Sequence, residues 1–303
     1  MKKKGLFMTG AAVLAAAGIL AGCGGAANTG TTTTGSTDST TASAEAVTAQ
    51  SVAKMVSENM TDVKSYTFDS GSRMGYSMSA SGVNMNMNMD MKLAGEGVVD
   101  SHNVHMTMDL NMEAMGQKST TKNEAYALEE NGKYVVYSKT EGEGSDGKWT
   151  RAENDTVIEF EKLNNIDVYK EIADGKIEAT LSEGEKVNGK DVYKLTAIIP
   201  GELFEKTYAA LGQDSNSGIA GMDFSSGTAD CELYIYKDTG LPARTYMDAK
   251  NYSENIFKQA LTQSSENTKD IEVTVETFDV DMTMDNYNTI DKIEVPAEVL
   301  SAV

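Results

Sequence analysis

The sequence predicts a mainly β, α+β protein: an antiparallel sheet of about ten or eleven strands with three or four helices. Long runs in which apolar and polar residues alternate carry that prediction, together with turn dipeptides that fall between the runs and the scarcity of helical spacing. Val83, Met85, Met87, Met89, Met91 and Leu93 alternate strictly with Asn84, Asn86, Asn88, Asp90 and Lys92. Val104, Met106, Met108, Leu110 and Met112 alternate in the same way with His105, Thr107, Asp109, Asn111 and Glu113. Side chains point to opposite faces at successive strand positions, so each run has one apolar and one wet face, the signature of antiparallel pairing.

The elements follow in order. Val52, Met55, Val56 and Met60 form one apolar stripe at helical spacing, which predicts an opening helix. Tyr66, Phe68, Met74, Tyr76 and Met78 share one parity on a long first strand. Asn131-Gly132 precedes Lys133 to Tyr137, and Asn188-Gly189 precedes Asp191 to Ile199. Asn-Gly tolerates the positive φ angles of a two-residue type I′ turn, so both sites predict hairpins. Asn154 or Asp155 caps a helix running through Ile158 towards Leu163, and another spans Leu203 to Leu211 after Pro200-Gly201. Gln213 to Gly227 is polar and rich in Gly and Ser, hence a loop. Ala229, Cys231, Leu233 and Ile235 line one face of a strand that turns at Asp238 to Pro242 and returns from Ala243 to Tyr252. The opposite positions Tyr234 and Tyr236 are expected to be exposed, as a partner surface. Ile271, Val273 and Val275 have one parity and Phe278, Val280, Met282 and Met284 the other, so a bulge near Glu276-Thr277 is needed to bring both onto one face. Periodicity alone permits either an open sheet or a closed barrel.

Composition excludes several function classes. The chain has 303 residues, with 26 Lys+Arg against 46 Asp+Glu and a net charge of −20, which disfavours nucleic acid and anionic surfaces as partners. Two cysteines rule out a disulfide framework, and two histidines leave little for His-based catalysis or a His-rich metal site. There is no Gly-x-Ser-x-Gly, no His-Glu-x-x-His and no Gly-rich phosphate loop, so no catalytic residue, cofactor or enzymatic activity is assigned. Cys231 reads as a small buried hydrophobe. Trp149 suits either a stacking aromatic or the closure of a hairpin. Glu141 to Gly147 is acidic but lacks the order of a Ca²⁺ loop, and reads as a solvated turn. Asp279 and Asp281 share a strand face as an acid pair, with no nucleophile to serve.

The N-terminus carries an address. Lys2, Lys3 and Lys4 precede an apolar stretch ending in Leu20-Ala21-Gly22-Cys23, which resembles the lipobox of bacterial lipoproteins. The resemblance implies a signal peptide over residues 1–22 and lipidation of Cys23 with palmitate-type acyl chains, two of which anchor stably where one does not. Its removal deletes three lysines and no acid, moving the balance to −23. Residues 23–46 hold no aliphatic or aromatic residue larger than Ala after the cysteine, and form a disordered Thr/Ser/Gly tether of roughly 25–30 Å end to end. Gly24 offers no inner-membrane retention signal, and the Thr-rich tether points to a Gram-positive surface. The expected location is the extracellular face of the cell membrane.

With these features, an opening helix before Ser-Tyr-Thr-Phe (Ser65 to Phe68), meandering Met-x-Met strands and the Asp238 to Arg244 turn, the chain from residue 47 to 303 resembles LolA-like or LppX-like lipoproteins, within an uncharacterised Gram-positive subgroup. The resemblance implies one domain over 47–303: a curved antiparallel half-barrel whose concave apolar face is covered by a few helices. It also implies lipid or acyl-chain cargo in some members, and it carries no catalytic residues.

Ten of the 18 methionines lie between Met74 and Met115. Flexible thioether side chains specify a tight core poorly but adapt to variable apolar ligands. Met85, Met87, Met89, Met91, Leu93, Met106, Met108, Leu110 and Met112 are therefore the candidate cargo-binding residues. Two alternatives stay open. One is a filled core in a structural or interaction module of the cell envelope with a protein partner. The other is Cu(I) binding by thioethers with His102, which shares the parity of Met106; His105 points to the opposite face.

Overall fold

The structure, a computed structural model, describes residues 46–80, 83–130, 133–154, 166–203, 227–263 and 271–302. The expected signal peptide (1–22), Cys23, nearly all of the expected tether, the turn expected at Asn131-Gly132, the helix expected through Ile158, all but the start of that expected at Leu203 to Leu211, and the loop expected from Gln213 lie outside the described residues.

The opening helix α1 (Ala49–Asn59) is fixed by a reciprocal cap. Ser51 N–H donates to Thr48 Oγ1 at 3.1 Å and Thr48 N–H donates to Ser51 Oγ at 2.9 Å. A 3₁₀ turn (Met60–Asp62) then leads into β1 (Ser65–Ala80). A meander follows: β2 (Val83–Val98), β3 (Asn103–Ala114), β4 (Gln117–Glu130), β5 (Lys133–Gly142) and β6 (Trp149–Asn154). After α2 (Ile166–Ala173) a second meander comprises β7 (Ala179–Glu183), β8 (Val192–Pro200), β9 (Thr228–Tyr236) and β10 (Pro242–Asp248). Helix α3 (Lys250–Gln263), β11 (Ile271–Asp285) and the short α4 (Ala297–Leu300) complete the described elements.

All eleven strands form one curved antiparallel sheet, ordered β6-β5-β4-β3-β2-β1-β11-β10-β9-β8-β7 and not closed into a barrel. Two meanders are thus joined where the first strand pairs with the last. The bulge expected at Glu276 is present: Gly75 pairs with Thr277 and Tyr76 with Val275, leaving Glu276 as the extra residue. Val273, Val275, Phe278 and Val280 are consequently buried together. The Asn188-Gly189 turn also forms, with φ of 50° and 77° at its two residues.

Three expectations are corrected. The return strand ends at Asp248, whose carboxylate accepts the Lys250 N–H at 3.0 Å, and the chain continues as α3 rather than as strand. Helix α2 was not foreseen either. Tyr234 and Tyr236 are buried, because Val187, Val192 and Ala243 pack on them from the back of the sheet. Lys190 and Lys194 lie over the two rings at 4.6 and 5.5 Å.

The main core lies on the concave face, where α1 (Val52, Val56), α2 (Val168, Ile172) and Tyr252 of α3 meet the strands. A second cluster lies across the sheet, where Ile293 and Val299 of the C-terminal segment cover Tyr126, Leu128, Val135 and Tyr137. Trp149 joins that cluster, its ring 5.7 Å from Tyr126, so it closes packing rather than offering a stacking platform.

Candidate functional site

The register places every candidate residue on the concave face in successive rows across β1, β2 and β3. The rows run Met78–Met85, Tyr76–Met87–Ala114, Met74–Met89–Met112, Ser72–Met91–Leu110, Ser70–Leu93–Met108 and Phe68–Gly95–Met106. Directly opposed side chains on one face sit about 4.5–5.5 Å apart at Cβ, so each row is in contact. Two details pack the floor. Ser70 and Ser72 are buried and small, letting bulkier neighbours close over them. A Cβ on Gly95 would come within 2.7 Å of the Phe68 ring, so the glycine gives that ring its seat.

The stripe divides into two parts. Met91, Leu93, Met108 and Leu110 are buried in the main core, at 3 to 7 % exposure. Met89 and Met106 are half-buried against its margin. Met85, Met87 and Met112, with Met78 of β1, lie outside that core and are partly exposed. Helix α3 packs on the neighbouring strand β11, and its Phe257 ring lies 5.3 Å from that of Tyr76, beside these rows. Tyr76 Oη–H donates to the Met87 sulfur at 2.9 Å.

Charge is segregated by face. The rows above contain no Asp, Glu, Lys or Arg, and neither do their β11 partners Val273, Val275, Phe278, Val280, Met282 and Met284. The same face continues onto β4 and β5 as Ala125, Asn123, Thr121, Ser138 and Thr140. Thr140 Oγ1–H donates to Asn123 Oδ1 at 2.6 Å there. These uncharged polar residues, and Met74, Tyr76, Met78 and Phe257, were missing from the sequence-derived site. Charge alternation reveals the former: Lys118, Lys122 and Glu124 all fall on the other parity of β4.

The convex face carries the charges, and they are engaged. Arg244 grips Asp281 through two hydrogen bonds of 2.6 and 2.7 Å, and Arg73 grips Asp279 through two of 3.0 Å. The acid pair expected at Asp279 and Asp281 is therefore two separate arginine clamps. Glu232 accepts from Lys194 at 2.6 Å, which holds its carboxyl below the usual range. His105 stacks on Tyr126 at 4.2 Å with Nε2 3.2 Å from Glu124, on the face opposite the methionines. His102 lies at the far end of β3 from Met112, with Nδ1 3.8 Å from Glu129, so it is not brought to the exposed thioethers. Burial pushes the Cys231 thiol up to about 12, leaving it protonated and unreactive. Among the described residues, no three His, Cys, Asp or Glu side chains group as a metal site, and no helix is long and apolar enough to cross a membrane.

Residues 48–303 match the model of DUF6612, a family of unknown function. The chain belongs to that family. No curated protein is similar to this DUF6612 chain in sequence. Among solved structures it is similar to LprF from Mycobacterium bovis, at 11 % identity over 82 % of this chain and 96 % of that one, with a TM-score of 0.41. A DUF1329 family protein from Desulfovibrio piger shares 11 % identity over 81 % of this chain and 93 % of its own, at a TM-score of 0.24. A β-barrel-like DUF1849 protein from Brucella abortus shares 10 % identity over 74 % and 98 %, at 0.21. None of the three bears on what the concave face binds.

Proposed function

We propose that this DUF6612 protein is a non-enzymatic lipoprotein of LolA/LppX type, anchored to the outer surface of the cell membrane through Cys23, which holds an apolar or acyl-chain ligand on its concave face. The lipobox at Leu20 to Cys23 supports the anchor. The ligand reading rests on one observation: the concave face of β1–β3 is free of charge, lined by methionine, and partly exposed at its outer rows. Exposed apolar surface of this kind gains free energy when a ligand's apolar surface covers it. An anionic headgroup would find no counter-charge and no hydrogen-bonding cation in these rows and would remain outside.

The test is native mass spectrometry of the purified protein followed by solvent extraction, with titration of a fluorescent fatty acid. The expected result is a bound mass that extracts as lipid, or saturable uptake of the fatty acid, with Met89→Lys reducing uptake while far-ultraviolet circular dichroism is unchanged. An apo mass with no uptake sinks the reading, as does a Met89→Lys variant that binds like the parent. That result would favour the second reading, a structural or interaction module, which the packed inner rows at Met91, Leu93, Met108 and Leu110 support.

A further inference from the structure

The methionines grade from buried core through a packed margin at Met55, Met74, Met89 and Met106 to a set that lies outside the main core. Met60, Met91, Met108, Met247, Met282 and Met284 are buried and serve as core hydrophobes. A different set gathers at one end of β1, β2 and β3, where Met78 faces Met85 and Met89 faces both Met74 and Met112, with Met87 in the row between. Of these six, Met74 and Met89 pack on the core margin, while Met78, Met85, Met87 and Met112 lie outside that core and are partly exposed. Met115, 71 % exposed, sits apart from them in the turn after β3, with its N–H bonded to the carbonyl of Asn86. Leucine or valine would cover the same surface with better-defined packing, so apolarity alone does not account for sulfur at every one of these positions.

We propose that this thioether cluster, centred on Met85 and Met87 with Met78 across the strand pair, is a binding site for a soft monovalent cation, Cu(I), with Ag(I) as its laboratory surrogate. Thioether sulfur is a neutral, soft donor that favours Cu(I) over harder divalent ions. Flexible side chains on adjacent strands, about 4.8 Å apart in the pairing direction, let sulfurs from two strands turn to one ion. The site has no charged residue in its rows, so it suits a singly charged ion with low hydration better than a dication. The Tyr76 hydroxyl bonded to Met87 and the Phe257 ring beside it form the wall towards α3. Neither histidine takes part: His105 is on the opposite face and His102 at the opposite end of its strand. Because thioethers carry no proton to lose, binding is independent of pH, unlike capture by His or Cys.

The experiment is titration of the full-length protein with Ag(I) in chloride-free buffer, and with Cu(I) under anaerobic reducing conditions, read by calorimetry and native mass spectrometry at pH 5.5 and 7.5. One bound Ag(I) or Cu(I) at both pH values is expected, with no retention of Zn(II). The triple variant Met78→Leu, Met85→Leu, Met87→Leu loses saturable binding. The buried pair Met91→Leu, Met108→Leu keeps it. Both sets nearly conserve volume, and unchanged circular dichroism and thermal midpoints verify that they fold. No mass shift in the parent protein, or a triple variant that binds equally, overturns the proposal. The same samples titrated with the fluorescent fatty acid separate the two readings: the triple variant remains apolar and retains the fatty acid while losing the metal.

Discussion

The inner and outer rows of the methionine stripe share strands, face and alternation, and differ in what lies over them. At the inner rows, Leu93 and Met108 meet across β2 and β3 beneath the helices and are almost fully excluded from water. A few residues along the same strands, Met87 and Met112 are partly exposed and lie outside the main core. The same pattern thus builds a core at one end and an accessible surface at the other. Strand periodicity decides which face a side chain takes, and the neighbouring elements decide whether that face is covered.

Three perturbations break or sharpen this comparison, from the largest effect to the smallest. Val273→Ala with Val275→Ala removes the two side chains that the bulge at Glu276 brings into line with Phe278 and Val280 on the buried face. Losing both predicts about 3–6 kcal/mol of destabilisation in urea unfolding. A change under about 1 kcal/mol would mean that the cover over β11 is not tightly packed. Leu93→Ala should cost about 2–5 kcal/mol as an inner-row cavity, whereas Met87→Ala should cost about 1 kcal/mol or less. Equal costs would erase the distinction between the rows. Tyr76→Phe removes only the hydrogen bond to the Met87 sulfur at the margin, and about 0.5 kcal/mol is expected in the same assay. A loss several times larger would place Tyr76 in the core.

The strands were legible because alternation is a local property. The Met-x-Met runs, the Asn188-Gly189 turn and even the Glu276 bulge follow from parity, since an apolar set that changes parity within one strand requires an extra residue. Helix α3 was missed because Ala243 to Tyr252 continues the strand's composition, and the signal that ends it is a single capping carboxylate at Asp248. Tyr252, Ile256 and Phe257 carry the helical spacing that identifies it. The burial of Tyr234 and Tyr236 was not legible at all, because the residues that cover them come from the 187–192 turn and from Ala243, and strand parity says nothing about long-range cover. For the same reason the stripe was readable as one apolar face, while its division at Met89 was not.

The seam between β1 and β11 has a consequence for the order in which the molecule is made. Each meander closes through neighbouring strands and can form as soon as its own hairpins have emerged. The pairing of Thr67 with Asp285 spans nearly the whole domain and waits for the C-terminal strand. Until then β1 and β10 are both bare edges, the kind that recruit other chains. A chain truncated before Ile271 would therefore be left as two partial sheets prone to aggregate, so the last strand acts as the checkpoint that separates a finished molecule from a sticky precursor.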